Sequence, residues 1–260
     1  MPDYIDIHSH LNFPDLYKDK DDVLLRMKEK KVWTISVGTD RKSSEKNLEF
    51  LNYDGVFTTV GLHPDDDLGE EKFAYDDYKK MAEHKKVVAI GECGLDYFRI
   101  NSEDSEKKKK QKQIFEAQID LAQKLHKPLM IHCRPGKGGD AYQDVYDILK
   151  STGGVSGNTH FFAGDIETAK KFLSIGFSLS FTGVITFVRD YDPVIQYASL
   201  NMIMSETDAP FVAPVPHRGK TNEPSFVPLV VAKIAEIRGE DIAAVKGALV
   251  ANAIRVFGLK

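Results

Sequence analysis

The chain has 260 residues, 42% hydrophobic and 28% charged, which suits a folded globular protein and excludes disordered and membrane-spanning classes. Its formal charge of −4 excludes a general nucleic-acid coat protein, whose phosphate contacts demand a basic surface, but not a small pocket holding a few phosphates.

The N-terminus enters a strand pattern at once, with no basic region and apolar stretch ahead of it, so no signal peptide is expected and the chain reads as cytoplasmic. That strand carries Ile5-Asp6-Ile7-His8-Ser9-His10-Leu11. Strand alternation puts His8 and His10 on one face, with Asp6 a layer deeper as a candidate partner for a histidine ring. Two imidazoles on one face make half a metal site. Residues 21–31 read as a helix with Val23, Leu24 and Met27 at helical spacing, and 32–37 as a second strand. A short helix over 43–51, capped by Ser43 or Ser44, precedes a third strand, 56–62, that ends in Gly61-Leu62-His63-Pro64. A helix over 73–84 leads to a fourth strand, 87–90, which runs into Gly91-Glu92-Cys93-Gly94-Leu95-Asp96-Tyr97.

The longest helical pattern spans 105–126, its apolar face formed by Ile114, Ala117, Leu121 and Leu125. The lysine run at its start, Lys107 to Lys110, reads as a solvated helix face. Strand five covers 128–132 and is followed by a glycine-rich loop and a helix over 141–149. Strands six (155–162), seven (177–181) and eight (202–205) alternate with helices over 166–173 and 192–198. After Glu206-Thr207-Asp208-Ala209-Pro210 a long loop, 211–223, precedes helices over 225–238 and 241–256. Cys93 and Cys133 lie in apolar strand-like segments and read as small buried thiols.

Eight strands alternating with helices predict one (β/α)8 TIM barrel over residues 1–260, with its active site at the C-terminal ends of the strands. His8 and His10, Glu92, His132, His160 and Asp208 all close strands, so the barrel would gather them at one mouth. Four histidines and two carboxylates exceed the needs of one tetrahedral ion, which predicts a site for two divalent metal ions. Glu92 is the natural bridge. One ion would take His8, His10, Glu92 and Asp208, the other Glu92, His132 and His160. Glu92 and Asp208 are the candidate catalytic residues, the latter as proton acceptor for water activated at the ions.

These motifs resemble the TatD family of metal-dependent deoxyribonucleases, within the amidohydrolase-like metallo-barrels. The matching stretches span the chain: residues 6–11, 61–64 and 91–97, Ile131-His132-Cys133-Arg134, residues 206–210, and Arg218-Gly219-Lys220-Thr221-Asn222-Glu223-Pro224. The resemblance implies hydrolysis of DNA phosphodiesters, typically 3′ to 5′ from single strands or ends, with Mg2+, Mn2+ or Zn2+ and no obligate protein partner. His63, Arg134, Arg218 and Lys220 are then the candidate phosphate contacts, and Tyr97 and Phe98 candidate base-stacking rings. Two stretches depart from the family pattern. His160-Phe161-Phe162-Ala163-Gly164 stands where the family often has His-Cys-Phe-Ser-Gly, and Pro135 to Gly139 intervene before Asp140-Ala141. The rival readings are a metallo-barrel hydrolase acting on a small phosphoester, lactone or amide, and a non-catalytic binding protein on the same scaffold.

Overall fold

The computed structural model describes residues 1–65 and 73–260. Strands β1 (Tyr4–Ser9), β2 (Val32–Ser36), β3 (Val56–Val60), β4 (Val87–Asp96), β5 (Leu129–Arg134), β6 (Gly157–Thr159), β7 (Ser178–Phe181) and β8 (Ile203–Ser205) pair in that order, every pair parallel. Beyond the ends of β1 and β8, the bridge between Ser9 and Ala209 and the 2.7 Å hydrogen bond from His10 N–H to the Ala209 carbonyl bring the first strand against the last. The fold is a TIM barrel. Its helices are α1 (Pro14–Tyr17), α2 (Lys20–Glu29), α3 (Arg41–Asn47), α4 (Tyr75–Ala82), α5 (Ser105–Leu125), α6 (Ala141–Thr152), α7 (Ile166–Ser174), α8 (Asp192–Tyr197), α9 (Val227–Arg238) and α10 (Ile242–Phe257). Among the described residues no helix is long and apolar enough to cross a membrane.

Aspartates start many of these helices. Asp40, Asp104, Asp140, Asp165 and Asp241 each accept a hydrogen bond from the backbone N–H three residues on, satisfying a donor the helix cannot use internally. For α3 this corrects the expected cap. Asp40 is the cap: its carboxylate accepts the Ser43 N–H while the Ser43 hydroxyl oxygen accepts the Asp40 N–H at 2.9 Å, forming a reciprocal capping box.

β4 runs six residues past the predicted end at Ile90, through Gly91 and Gly94. Both are required there. A Cβ at Gly91 would lie 2.4 Å from the Met130 carbonyl oxygen, and one at Gly94 only 2.0 Å from that of His132. Between them the register shifts, Ile90 facing Leu129 while Cys93 faces Ile131, so three residues of β4 span two of β5. This bulge re-aims the strand at Glu92.

The buried face of α5 is only partly the predicted one, sharing Leu121 with it. Gln111, Phe115, Gln118, Ile119, Leu121 and Ala122 are buried, while Ile114, Ala117 and Leu125 are only partly covered. Two glutamines displace the apolar stripe because the strand ends need polar partners. Gln118 exchanges two 2.9 Å hydrogen bonds with the Leu62 backbone, and Gln111 serves Asp96 N–H, Asp96 C=O and Pro64 C=O at 3.0, 2.9 and 3.0 Å. Thus α5 holds the ends of β3 and β4 in place. Gln118→Leu would leave the buried Leu62 N–H and C=O unpaired and should destabilise the protein by about 1–3 kcal/mol, read as a lower urea midpoint at unchanged slope.

The largest apolar cluster lies between strands and helices and reaches the strand ends at Leu62, Leu95 and Cys133. A second, smaller cluster joins Ile5, Ile35, Phe57, Val88, Met130 and Met204 to Ala253, Phe257 and Leu259 of the C-terminal helix and tail.

Candidate metal centre

At the C-terminal ends of the strands the structure brings His8, His10, Glu92, His132, His160 and Asp208 together, four of them buried and His132 and Asp208 partly so. His8 Nε2 lies 3.2 Å from His10 Nε2, 3.4 Å from Glu92 Oε2 and 3.8 Å from Asp208 Oδ1. His10 Nε2 lies 3.9 Å from Glu92 Oε2 and 3.5 Å from Asp208 Oδ1. On the other side, Glu92 Oε1 is 2.8 Å from His160 Nε2 and 3.2 Å from His132 Nδ1, which are 3.4 Å apart. Atoms bound about 2.0–2.2 Å from one shared ion stand about 3–3.6 Å apart, close to these separations. The two oxygens of Glu92 thus face two different imidazole pairs.

The outer nitrogens settle what the inner ones can do. His10 Nδ1 is 3.2 Å from the Val37 carbonyl, His132 Nε2 is 2.9 Å from Asp96 Oδ2, and His160 Nδ1 is 3.3 Å from Glu206 Oε2. Each outer nitrogen faces an acceptor that can hold its proton, which frees the inner nitrogen of a neutral ring to bind a metal beside the Glu92 and Asp208 oxygens. Inner nitrogens this close to carboxylate oxygens need positive charge between them, a ring proton or a metal ion. The donor set therefore fits divalent metal, with His8, His10, His132, His160, Glu92 and Asp208 able to hold it.

His63 is the exception. Its Nε2 is 3.4 Å from Glu92 Oε1, close enough to be grouped with Glu92 and His132 as a possible ligand set. Yet its Nδ1 accepts the Asp65 N–H at 3.1 Å, so in the neutral ring Nε2 bears the hydrogen and is a donor. Burial, followed by the His132 charge, pushes the His63 imidazole down to about 3, which keeps it neutral.

Asp208 sits in a left-handed turn at φ 54°, a conformation aspartate tolerates, with its N–H bonded to the His8 carbonyl at 2.9 Å. Asn222 clamps this turn. Its side-chain amide donates to the Thr207 and Phe211 carbonyls at 2.8 and 2.7 Å, and its N–H to Pro210 at 3.0 Å. The adjoining Glu223 is anchored by the Arg26 guanidinium at 2.6–2.9 Å. Asp6 reaches no histidine ring. Its carboxylate instead takes the Thr207 N–H and hydroxyl at 2.8 and 2.7 Å and the His8 N–H at 3.2 Å, bracing the backbone under both ends of the site.

Above these groups opens a cavity of about 590 Å3 whose lining includes His63, Arg134, Phe13, Phe161, Tyr191 and Phe211. Arg218 and Lys220 are not part of that lining: Arg218 lies over the Phe187 ring at 3.6 Å and Lys220 is exposed. Tyr97 is buried, its hydroxyl 2.7 Å from Asp144, and so is a packing residue, whereas Phe98 is half exposed. Asp96 and Glu206 received no role from sequence, although a carboxylate inside an apolar motif is itself a signal that a buried partner exists.

A family model described as TatD-related DNase matches residues 5–258. The chain belongs to this family. YabD of Bacillus subtilis, described as a metal-dependent hydrolase, is 38% identical over 97% of this chain and 98% of its own length. YcfH of Escherichia coli K12, described likewise, is 33% identical over 97% and 95%. The crystal structure of YJJV, a TatD homolog from Escherichia coli K12, superposes with a TM-score of 0.89 at 26% identity, covering 99% of each chain.

The electrostatics of this TatD protein call for positive charge. Burial lowers His160, but the Glu92 charge and the contacts with Glu206 and Glu92 more than reverse it, raising the ring well above its ordinary range. Burial likewise raises Glu92, yet the imidazoles around it, His160 foremost, hold it well below the carboxylate range. Asp96 orients His132 and strengthens it as a donor. Asp96→Asn should therefore weaken metal binding about 10–100-fold, measured by chelator competition.

Proposed function

We propose that this metal-dependent hydrolase of the TatD family cleaves DNA phosphodiesters as a 3′ to 5′ exonuclease, with two divalent ions per chain. One observation carries the reading: Glu92 turns one oxygen to His8 and His10 and the other to His132 and His160. His8, His10, Glu92 and Asp208 would hold one ion, and Glu92, His132 and His160 the other. Bound there, Mg2+, Mn2+ or Zn2+ would supply Lewis acidity and bring the pKa of water toward about 7.

The side chains divide the remaining work. Asp208, its side chain 13% exposed toward the cavity, is ionised and takes the proton of the attacking water. His63 presents its Nε2–H beside Glu92, where it can donate to a phosphate oxygen as negative charge grows. Arg134 meets phosphate at the rim, and the Phe13, Phe161, Tyr191 and Phe211 rings exclude bulk water from the walls. Arg218 and Lys220, placed outside the lining, would meet phosphates farther along the strand. A small phosphoester is the second reading, favoured by a cavity of about 590 Å3 that also suits a compact ligand.

Digestion of DNA labelled at either end, by chelator-stripped protein with Mg2+, Mn2+ or Zn2+ restored singly, tests the proposal. A ladder shortening from the 3′ end, absent without metal, is expected. Cleavage of a small phosphodiester but of no DNA would replace it with the second reading.

A further inference from the structure

Phe98 and Phe211 stand out on the surface near the mouth. They are 51% and 49% exposed, unusual for phenylalanine. Both are braced from behind. Phe211 meets Phe13 edge-on at 6.1 Å, and Phe13 stacks on the His10 ring at 4.5 Å with 17° between planes. Phe98 carries the Arg134 guanidinium at 3.8 Å over its ring. The glycine-rich loop that departs from the family pattern supports it: a Cβ at Gly136 would lie 2.3 Å from the Phe98 Cα, and Gly138 N–H bonds the Tyr97 carbonyl at 3.2 Å. Only glycine at 136 allows that loop to press against the Phe98 backbone.

Strand order sets where these rings stand. Phe13 follows β1 and Phe211 follows β8, which are neighbours across the closure; Phe98 follows β4 and Arg134 ends β5. In a ring of eight strands β4 and β5 lie opposite β8 and β1, with the metal centre between.

We infer that the mouth carries two nucleobase platforms, Phe98 with Arg134 on one side and Phe211 with Phe13 on the other, which grip the bases flanking the scissile phosphate. This rests on the DNA reading above. Aromatic faces and guanidinium planes bind unstacked bases without demanding a sequence, so the two platforms give tolerance of sequence together with a need for a base on each side. A duplex has both faces of each base already covered. The platforms therefore select nucleotides that have left the stack.

The test uses the intact, metal-restored protein and single strands carrying an abasic residue at the terminal or the penultimate position. Each abasic residue should lower wild-type kcat/KM about tenfold or more. Phe98→Ala should lower the rate on the intact strand and erase the penalty at one position; Phe211→Ala should erase it at the other. Binding of the same strands to chelator-stripped protein, followed by fluorescence anisotropy, should repeat the pattern without turnover. Full penalties at both positions in both variants, or no penalty in the wild type while the intact strand is cut, would overturn the platforms and leave the nuclease standing. Failure of the wild type to cut any single strand would remove the DNA reading and the platforms together.

Discussion

Glu92→Gln is expected to lower kcat/KM on DNA by about 10^3–10^5-fold, equivalent to about 4–7 kcal/mol of transition-state stabilisation, while the barrel stays folded. Among the described residues this is the only carboxylate whose two oxygens face both imidazole pairs, at 3.4 Å from His8 on one side and 2.8 Å from His160 on the other. An amide keeps the shape but replaces one oxygen with an NH2 group. That NH2 would donate to an imidazole lone pair now available to metal, so the protein without metal loses no packing while the site loses a charge and a ligand. Circular dichroism and the melting temperature of the chelated protein should match wild type. Turnover within tenfold of wild type would show that Glu92 holds nothing essential.

Asp208→Asn should cost about 10^3-fold or more in kcat with little change in fold. Asparagine accepts the left-handed backbone that Asp208 adopts at φ 54°, so the turn clamped by Asn222 survives the exchange. Its chemistry does not survive. Burial raises the Asp208 carboxyl, but the hydrogen bond to His10 and the interactions with His8 and His10 outweigh it and keep the group ionised, with an oxygen free for the ion or its water. Asparagine can neither accept a proton nor balance a cation. Metal analysis beside steady-state kinetics separates the two losses: retention of the ion shared by His132 and His160 with kcat abolished is the expected pattern, and unchanged kcat would contradict the assignment.

Much of this arrangement is legible in sequence because barrel topology converts a one-dimensional mark, a metal-capable residue ending an apolar run, into a shared place. His8, His10, His132, His160 and Asp208 carry that mark plainly. Glu92 carries it as well, but the sequence ends its strand too early: β4 runs on through Gly91 and Gly94, whose small size serves contacts with a strand more than thirty residues away. Groups that act through other groups are harder to find. Asp96 and Glu206 matter because of which imidazole nitrogen they face, and the donor role of His63 depends on the backbone N–H of Asp65. Gln111 and Gln118 look like a solvated helix face until the unpaired backbone at two strand ends is counted. In each case the missing information is a hydrogen-bond partner, which no periodicity reports.

The most direct measurement is the number and spacing of ions in crystals of the wild-type protein grown with Mn2+, located by anomalous scattering. Two peaks about 3.5–4 Å apart, with Glu92 between them, are predicted. A single peak, or two peaks sharing no ligand, would contradict the account.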